Sequence, residues 1–314
     1  MKSVITKTNF NFRDIKSKYE GKVRDVYTLS NNNIIVIATD RISAFDVIMP
    51  KGITYKGQIL NQISTEMLNK TNDIVDNWLI SSPDPNISYG KKCKPFKIEM
   101  VVRGYLSGHS YRLYKSGLRN ICGNIIPEKM NENDQFKEPI VTPTTKAEIG
   151  SHDQDISPDE IISNKILDKK MYDKIHFISL ELFNRGTEIA KKSGLILVDT
   201  KYEFGLDLEN NIVLIDEIHT PDSSRYFYLD SYNHLQNNKL KQKQLSKEFF
   251  REWLMENDFQ GKEGQKIPHI SKETIDLISS RYIELYEKLM NKKFLKDHNL
   301  DINERIKLNM SNFL

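Results

Sequence analysis

The chain has 314 residues, of which 38% are hydrophobic and 28% are charged, and its formal net charge is +3. This length predicts about two domains with ample chain for a core, and the composition is that of an ordinary globular protein. The longest apolar runs, such as IIVIA at 34–38, are far shorter than the ~20 residues that span a bilayer. The small net charge, without a basic stripe interleaved with aromatics, argues against a nucleic-acid-binding protein.

The termini and cysteines indicate the compartment. The first 20 residues contain no apolar core and no cleavage-like site, so we expect no secretory signal and a cytoplasmic location. Cys93 and Cys122 lack zinc-ligand spacing, which favours a reducing compartment and thiols without a special role.

The first hundred residues are predicted to be mostly strand. Apolar runs at 23–29 and 34–40 flank an Asn-rich turn and predict a hairpin. Apolar residues at helical spacing predict a helix over 58–70. The stretch 81–95 is rich in Ser, Pro, Gly and Asn and is expected to be loop. The run FKIEMVVRGYL at 96–106 is expected to be a strand that bridges two lobes.

The rest of the chain mixes strands with helices. The sequence Ser-Pro-Asp-Glu at 157–160 is a capping box with proline at the first helical position. A longer helix is predicted near 170–192, and further helices after Ser246 and after Ser271. Strands first, then strands mixed with helices, favour an α+β fold over a doubly wound sheet.

Two apolar runs carry acids where the pattern predicts core. They are LILVDTKYEFGL at 195–206 and NIVLIDEIHTPDSSRYF at 211–227, and turn residues between them predict a hairpin. Burying ionised carboxylates costs several kcal/mol unless a cation compensates. With a loop over 208–211, Glu203 pairs directly with Asp216, and two such carboxylates suit Mg²⁺. The alternative is a solvated edge hairpin with surface acids.

Other polar segments precede this hairpin. Gly21 and Lys22 stand just before a predicted strand, where a glycine lets backbone amides approach phosphate, although an isolated Gly-Lys pair is usually a simple turn. Further segments rich in polar residues are ATDRISAFDVIMP at 38–50, VVRGYLSGHSYRLYKSG at 101–117 and TPTTKAEIGSHDQDIS at 142–157.

Taken in order, these segments closely resemble the family of phosphoribosylaminoimidazole-succinocarboxamide synthase (SAICAR synthase). The resemblance extends from about residue 19 to 227, and its most specific element is D-x-K-x-E-F-G at 199–205. The length and the helical C-terminal part resemble the longer, yeast-type form.

The resemblance implies a two-lobed α+β fold. A strand-rich, kinase-like N-terminal lobe over 1–100 would cover ATP, and a larger ATP-grasp-like lobe over 101–228 would hold the metal and substrates. A helical extension over 229–314 would pack on the central lobe. The longer form also implies a monomer, while the small net charge and the short apolar runs predict no nucleic-acid or membrane partner.

The implied activity is an ATP-dependent ligase that joins carboxyaminoimidazole ribotide (CAIR) to L-aspartate through an acyl phosphate. In this reading Glu203 and Asp216 hold Mg²⁺. The residues implied to bind ATP are Gly21, Lys22, Arg24 and Lys146, together with Glu203 and Asp216. The residues implied to bind substrate are Asp40, Ser43, Asp46, Arg103, Ser107, His109, Ser110, Lys201 and Arg225. Those implied to be catalytic are Lys201, Asp199 and Arg103.

Aspartate recognition is placed near 40–43 and 145–153. Two positions depart from the family pattern. His109 stands where a small hydroxyl residue is usual, so His109 itself or Ser110 would contact the phosphate, or the loop would bind less tightly. Ser151 stands where Glu is usual.

Three other functions are compatible with parts of the sequence. A kinase-like phosphotransferase would need H-R-D and D-F-G motifs, and neither occurs in the sequence. A non-enzymatic nucleotide- or RNA-binding module would leave Glu203 and Asp216 without purpose. Another ATP-dependent carboxylate–amine ligase is excluded by the motif resemblance alone.

Overall fold

The computed structural model describes residues 4–146, 153–296 and 301–313. Its first part is an antiparallel five-stranded sheet in the order β1-β2-β3-β7-β6, with one helix beside it. The elements are β1 (Ile15–Glu20), β2 (Arg24–Leu29), β3 (Asn33–Ala38), β4 (Ser43–Ala44), β5 (Val47–Ile48), α1 (Lys56–Asn69), β6 (Leu79–Asp84) and β7 (Ile87–Lys91).

A second antiparallel sheet follows in the order β11-β8-β12-β13, and β14 also pairs with β12. The elements are β8 (Lys94–Tyr105), α2 (Gly108–Lys115), β9 (Asn120–Ile121), β10 (Asn124–Ile125), β11 (Gln135–Thr145), α3 (Pro158–Ser163), α4 (Lys169–Lys192), β12 (Leu195–Leu206), β13 (Ile212–Ile215) and β14 (Ser224–Tyr228). The first half of β12 pairs with β14 and its second half with β13. The segment 216–223 therefore leaves the sheet at the middle of β12.

The C-terminal part is helical. It contains α5 (Leu229–Asn237), α6 (Glu248–Glu256), α7 (Lys272–Met290) and α8 (Ile302–Ser311). Helix α7 packs against α1, and its buried face includes Ile278 and Leu285. Helix α8 packs on the first sheet, where Arg305 binds Asp84 at 3.0 Å, rather than on the central lobe. The three-domain division stays a prediction. No helix among the described residues is long and apolar enough to cross a bilayer.

Most predicted elements are confirmed. The 23–40 hairpin, the helix over 58–70, the long helix near 170–192 and the strand at 96–106 are all present. The capping box forms as expected, since Ser157 accepts from the Glu160 N–H while the Glu160 carboxylate accepts from the Ser157 N–H. The α+β class is confirmed.

The expected loop over 81–95 is wrong. These residues belong to β6, β7 and the start of β8. Their polar side chains are satisfied within the sheet: the Ser82 hydroxyl donates to the Ile87 carbonyl at 2.8 Å, and the Asp84 carboxylate accepts the Asn86 N–H at 2.8 Å. Strand pairing with the rest of the sheet outweighs the weak local preference.

Candidate active site

Strand β12 presents a row of charged side chains. Asp199, Lys201 and Glu203 lie two residues apart, so they share one face of the strand. The Lys201 amine donates to Glu203 at 3.1 Å and to Glu99, on the neighbouring strand β8, at 2.8 Å. Lys146, which directly follows β11, forms an ion pair with Glu203. Two lysines thus compensate two buried carboxylates.

The register of the acidic hairpin differs from the prediction. Glu203 lies opposite Ile215, not Asp216, because the turn is one residue longer than 208–211. The Asp207 carboxylate accepts N–H bonds from Glu209 and Asn211, each at 2.9 Å, and so belongs to the turn. Asp216 directly follows β13 with a left-handed φ of 60°, which ends the strand alternation.

Asp216 nevertheless lies near Glu203. Burial, and next the charge of Glu203, raise the pKa of Asp216 to about 6. Burial opposes ionisation of Glu203 as well, but Lys201 and Lys146 hold its pKa well below its usual range. The neighbouring Glu217 accepts a bond from Arg24 at 3.0 Å, which ties β2 of the first sheet to this segment.

Lys201 is held as a cation. Burial alone would lower its pKa, but Glu99 and Glu203 raise that pKa well above its ordinary value. A permanently protonated amine cannot act as a base or nucleophile. Its chemistry is therefore electrostatic stabilisation of negative charge.

A second cluster of charges surrounds Asp199. Its carboxylate accepts from Arg103 at 3.4 Å and from Arg225 at 3.0 Å. Arg225 also lies 3.4 Å from Glu248, and Arg103 donates to the Thr142 hydroxyl at 2.8 Å. Both guanidinium groups are buried, so their orientation is fixed by these partners.

The loop before α2 supports Arg225. Gly108 has a left-handed φ of 58°, and a Cβ atom there would overlap the Arg225 guanidinium. The Ser107 hydroxyl bonds to Asn133 at 2.7 Å, and the buried Ser110 donates to the Ser107 carbonyl at 2.9 Å. Both hydroxyls are therefore used within the protein. His109, the departure from the family pattern, binds Asp155 at 2.7 Å.

A cavity of about 740 Å³ opens beside this loop. Its basic lining includes Arg112, Arg225, Lys239 and Lys241, and four carboxylates line it as well, those of Glu132, Glu248, Glu252 and Glu256. This space is large enough for a small phosphorylated ligand.

The Gly21–Lys22 turn lies at the edge of the first sheet. Lys22 forms an ion pair with Asp46, and both side chains are about half exposed. The buried Arg41 fixes the turn, since it donates to the carbonyls of Gly21 at 2.8 Å and Lys22 at 3.3 Å. Arg41 also binds Asp25 at 2.6 Å.

The structure separates Asp40 from the other predicted site residues. Its carboxylate is fully buried and accepts the N–H groups of Ile5 and Gly57, each at 2.9 Å. Burial raises the pKa of Asp40 to about 6 despite these bonds. Asp40 thus supports the start of α1, and Ser43 is buried in β4. Residues 147–152 of the predicted aspartate region, including Ser151, lie outside the described residues.

Sequence reasoning missed Glu99 and assigned no role to Arg41 or Glu217. A signal for Glu99 is present, because it is an acid inside the apolar run FKIEMVV. This is the same pattern that identified the acids of the hairpin.

Known proteins resemble this chain over most of its length. The family model for SAICAR synthetase matches residues 17–268. The phosphoribosylaminoimidazole-succinocarboxamide synthase of Flavobacterium psychrophilum is 56% identical over 312 residues, covering 99% of each chain. That of Bacteroides thetaiotaomicron is 55% identical over 310 residues, covering 99% of this chain and 98% of the relative.

A solved structure points the same way. The SAICAR synthase from Saccharomyces cerevisiae, complexed with SAICAR, has a TM-score of 0.78 and 31% identity, covering 93% of this chain and 100% of that one. The resemblance found in the sequence is confirmed over nearly the whole chain. This chain belongs to the SAICAR synthetase family.

Proposed function

We propose that the charged groups around β12 form the site of the family reaction. As a family member, the chain is a ligase that uses ATP to join CAIR to L-aspartate, giving SAICAR, ADP and phosphate in purine biosynthesis. The observation that carries the site assignment is the convergence of two carboxylates and two lysines, namely Glu203, Asp216, Lys146 and Lys201. Such a set neutralises and orients a polyphosphate.

Glu203 and Asp216 would hold Mg²⁺. No group of three or more His, Cys, Asp or Glu side chains suited to a metal occurs in the described part of the chain. Two carboxylates completed by phosphate oxygens and water match the preference of Mg²⁺. The raised pKa of Asp216 supports this assignment, because a cation between the two carboxylates would relieve their repulsion. When bound, the ion would neutralise charge on the transferred phosphoryl group.

Two lysines would contact the ATP phosphates. Lys22 now pairs with the half-exposed Asp46, and Lys146 pairs with Glu203. Both amines would exchange these partners for phosphate oxygens. The Gly21 turn would let backbone N–H groups approach the same phosphates, with Arg24 oriented by Glu217 beside them.

Arg103 and Arg225 would bind the ribotide. A buried donor supports this role, since the Nε–H of Arg225 has no acceptor among the described residues. Phosphate or carboxylate oxygens would satisfy it, and a guanidinium can bind either in a bidentate manner. The adjoining 740 Å³ cavity would house the ribose phosphate, and Asp199 would orient both arginines.

The chemical steps that we propose are a phosphoryl transfer followed by an acyl transfer. The CAIR carboxylate attacks the γ-phosphorus of ATP, the bond to the bridging oxygen breaks, and ADP leaves. The aspartate amine then attacks the carbonyl carbon of the acyl phosphate, phosphate departs, and the amine loses a proton. Lys201 would stabilise charge in both steps, because it stays protonated between Glu99 and Glu203.

ADP release with Mg·ATP and CAIR tests this proposal, measured with and without L-aspartate. Aspartate-dependent release is expected from the wild type and from Glu209→Gln, an exposed acid in the turn of the same hairpin. Asp216→Asn is expected to lose it. ATP hydrolysis that ignores CAIR and aspartate in the wild type would contradict the proposed function.

We also propose that the chain is a monomer in solution, as the longer form implies. The supporting feature is that α7 and α8 pack back onto α1 and the first sheet of their own chain. Light scattering after gel filtration would test it. The cytoplasmic location and the lack of nucleic-acid binding stay predictions.

A further inference from the structure

The segment 216–223 connects β13 to β14 and carries key groups of the proposed site. It begins with Asp216 and Glu217, and Arg225 follows it by two residues. Its backbone is irregular: Asp216 and His219 have left-handed φ values of 60° and 56°. Such conformations in non-glycine residues persist only where surrounding contacts hold them.

One buried carboxylate of the segment makes several contacts with distant parts of the chain. Asp222 accepts from the Lys56 amine at 2.7 Å and from the Tyr282 hydroxyl at 2.6 Å. The Lys247 amine lies 3.7 Å away. The Lys56 side chain is 0% exposed and that of Asp222 is 4% exposed. This is a desolvated network with a carboxylate at its centre.

The partners of Asp222 come from three separate elements. Lys56 begins α1, Lys247 precedes α6, and Tyr282 lies in α7. The backbone N–H of Lys247 also donates to the Pro221 carbonyl at 3.0 Å. Through Pro221 and Asp222, the segment that carries Asp216 is thus bonded to the start of α1, to α7 and to the residue before α6.

The start of α1 is itself fixed. Asp40 accepts the N–H of Gly57, the residue next to Lys56, and the Ser279 hydroxyl of α7 donates to the Thr54 carbonyl at 2.8 Å. These bonds hold the Lys56 backbone in place. Asp40, whose predicted substrate contact stays a prediction, thus supports the backbone beside Lys56.

Stability alone is a weak reason for such a network, because apolar side chains of similar volume often replace a buried ion pair without loss. Directional bonds do fix geometry. We propose that Lys56 is a positioning residue for the ligase reaction: through Asp222 it fixes the segment 216–223, and so places Asp216 and Arg225. This inference rests on the proposed function, which assigns those two residues to Mg²⁺ and CAIR.

The main test is Lys56→Met, which keeps most of the volume and removes the charge. The expected result is a roughly 10- to 100-fold fall in kcat/KM for CAIR, with a higher Mg²⁺ concentration at half-maximal rate. Lys56→Arg keeps the cation and is expected to restore part of the loss. Tyr282→Phe removes one bond from the same carboxylate and is expected to show a smaller fall of the same kind.

Arg305→Met is the matched control. Arg305 forms another buried ion pair, with Asp84 on the first sheet. Both Lys56→Met and Arg305→Met are expected to lower Tm, but only the first should change the kinetics well below Tm. Tyr282→Phe keeps the test decisive if Lys56→Met does not fold.

Fluorescence gives a readout independent of turnover. The Trp78 indole N–H donates to the Asp216 carbonyl at 2.9 Å, so its emission reports on this segment. In a Trp253→Phe background, the emission maximum is expected to shift in Lys56→Met and not in Arg305→Met.

Two results would overturn the inference. One is a Lys56→Met or Tyr282→Phe enzyme with wild-type kcat/KM and Mg²⁺ dependence in spite of a lower Tm. The other is an equal kinetic loss in Arg305→Met. If the wild type itself showed no aspartate-dependent turnover, the proposed function would fail, and this inference with it.

Discussion

Glu99 on β8 lies directly opposite Glu203 on β12, and the amine of Lys201 binds both carboxylates. Like charges at opposed positions of neighbouring strands are destabilising, so this pair requires a cation. Lys201 is therefore fixed from two sides and kept protonated. The arrangement gives the site a preorganised positive charge on a rigid strand.

Glu99→Gln tests whether that fixation matters for catalysis. Lys201 would keep its bond to the Glu203 carboxylate, but its shorter bond, at 2.8 Å, would go to a neutral amide oxygen, so its position would be less defined. We expect kcat to fall about 10-fold, the size typical of losing a group that orients a catalytic residue. Steady-state ADP release measures this, with the exposed Glu138→Gln on β11 as the control. Equal kcat in the two variants would contradict the role of Glu99.

Asp216→Asn is expected to stabilise the metal-free protein while it removes activity. The folded-state pKa of Asp216 is raised to about 6, above its ordinary value of 3.8. Its neutral form is therefore favoured in the folded state. The stability that the neutral Asp216 contributes is fully present below pH 3.8 and is lost as the pH rises through 6. At pH 7 the ionised Asp216 lowers the free energy of unfolding by about 1–3 kcal/mol. This is a maximum, because the side chain is partly exposed to solvent.

Thermal unfolding in EDTA between pH 4 and pH 8 checks this. The Tm of Asp216→Asn should exceed that of the wild type above pH 6, and the difference should shrink as the pH falls towards 4. Addition of Mg²⁺ and ADP should stabilise the wild type more than the variant. A variant less stable than the wild type at pH 8 would show that Asp216 is structural instead.

The parts of the site that the sequence predicts are those with local periodicity. Asp199, Lys201 and Glu203 recur every two residues in an apolar run, so their common face follows from strand geometry. The hairpin register does not follow, because it depends on whether Asp207 belongs to the strand or to the turn. Its side-chain bonds to two backbone N–H groups decide that, and residue type alone does not reveal them.

Contacts between distant segments also escape prediction. Asp40 stands beside Arg41 in a segment that resembles a substrate loop, and its carboxylate accepts the N–H groups of Ile5 and Gly57. The Lys56–Asp222 pair joins residues that are 166 positions apart. The strands within 81–95 likewise depend on pairing with β3 and with each other, which outweighs their Ser- and Pro-rich composition.

The close approach of Gly108 to Arg225 gives a further prediction, with a control inside the same chain. A methyl group at Gly108 would overlap the guanidinium and displace it from Asp199, so Gly108→Ala should raise KM for CAIR about 10-fold, or ~1.4 kcal/mol of binding free energy. Gly117 has a left-handed φ of 104° with nothing within 4 Å of a Cβ atom. Gly117→Ala therefore carries at least as much backbone strain without the overlap, and should lower Tm while KM stays unchanged. Because both variants are strained, a KM effect restricted to Gly108→Ala would assign the loss to the position of Arg225, whereas equal KM effects would assign it to backbone strain.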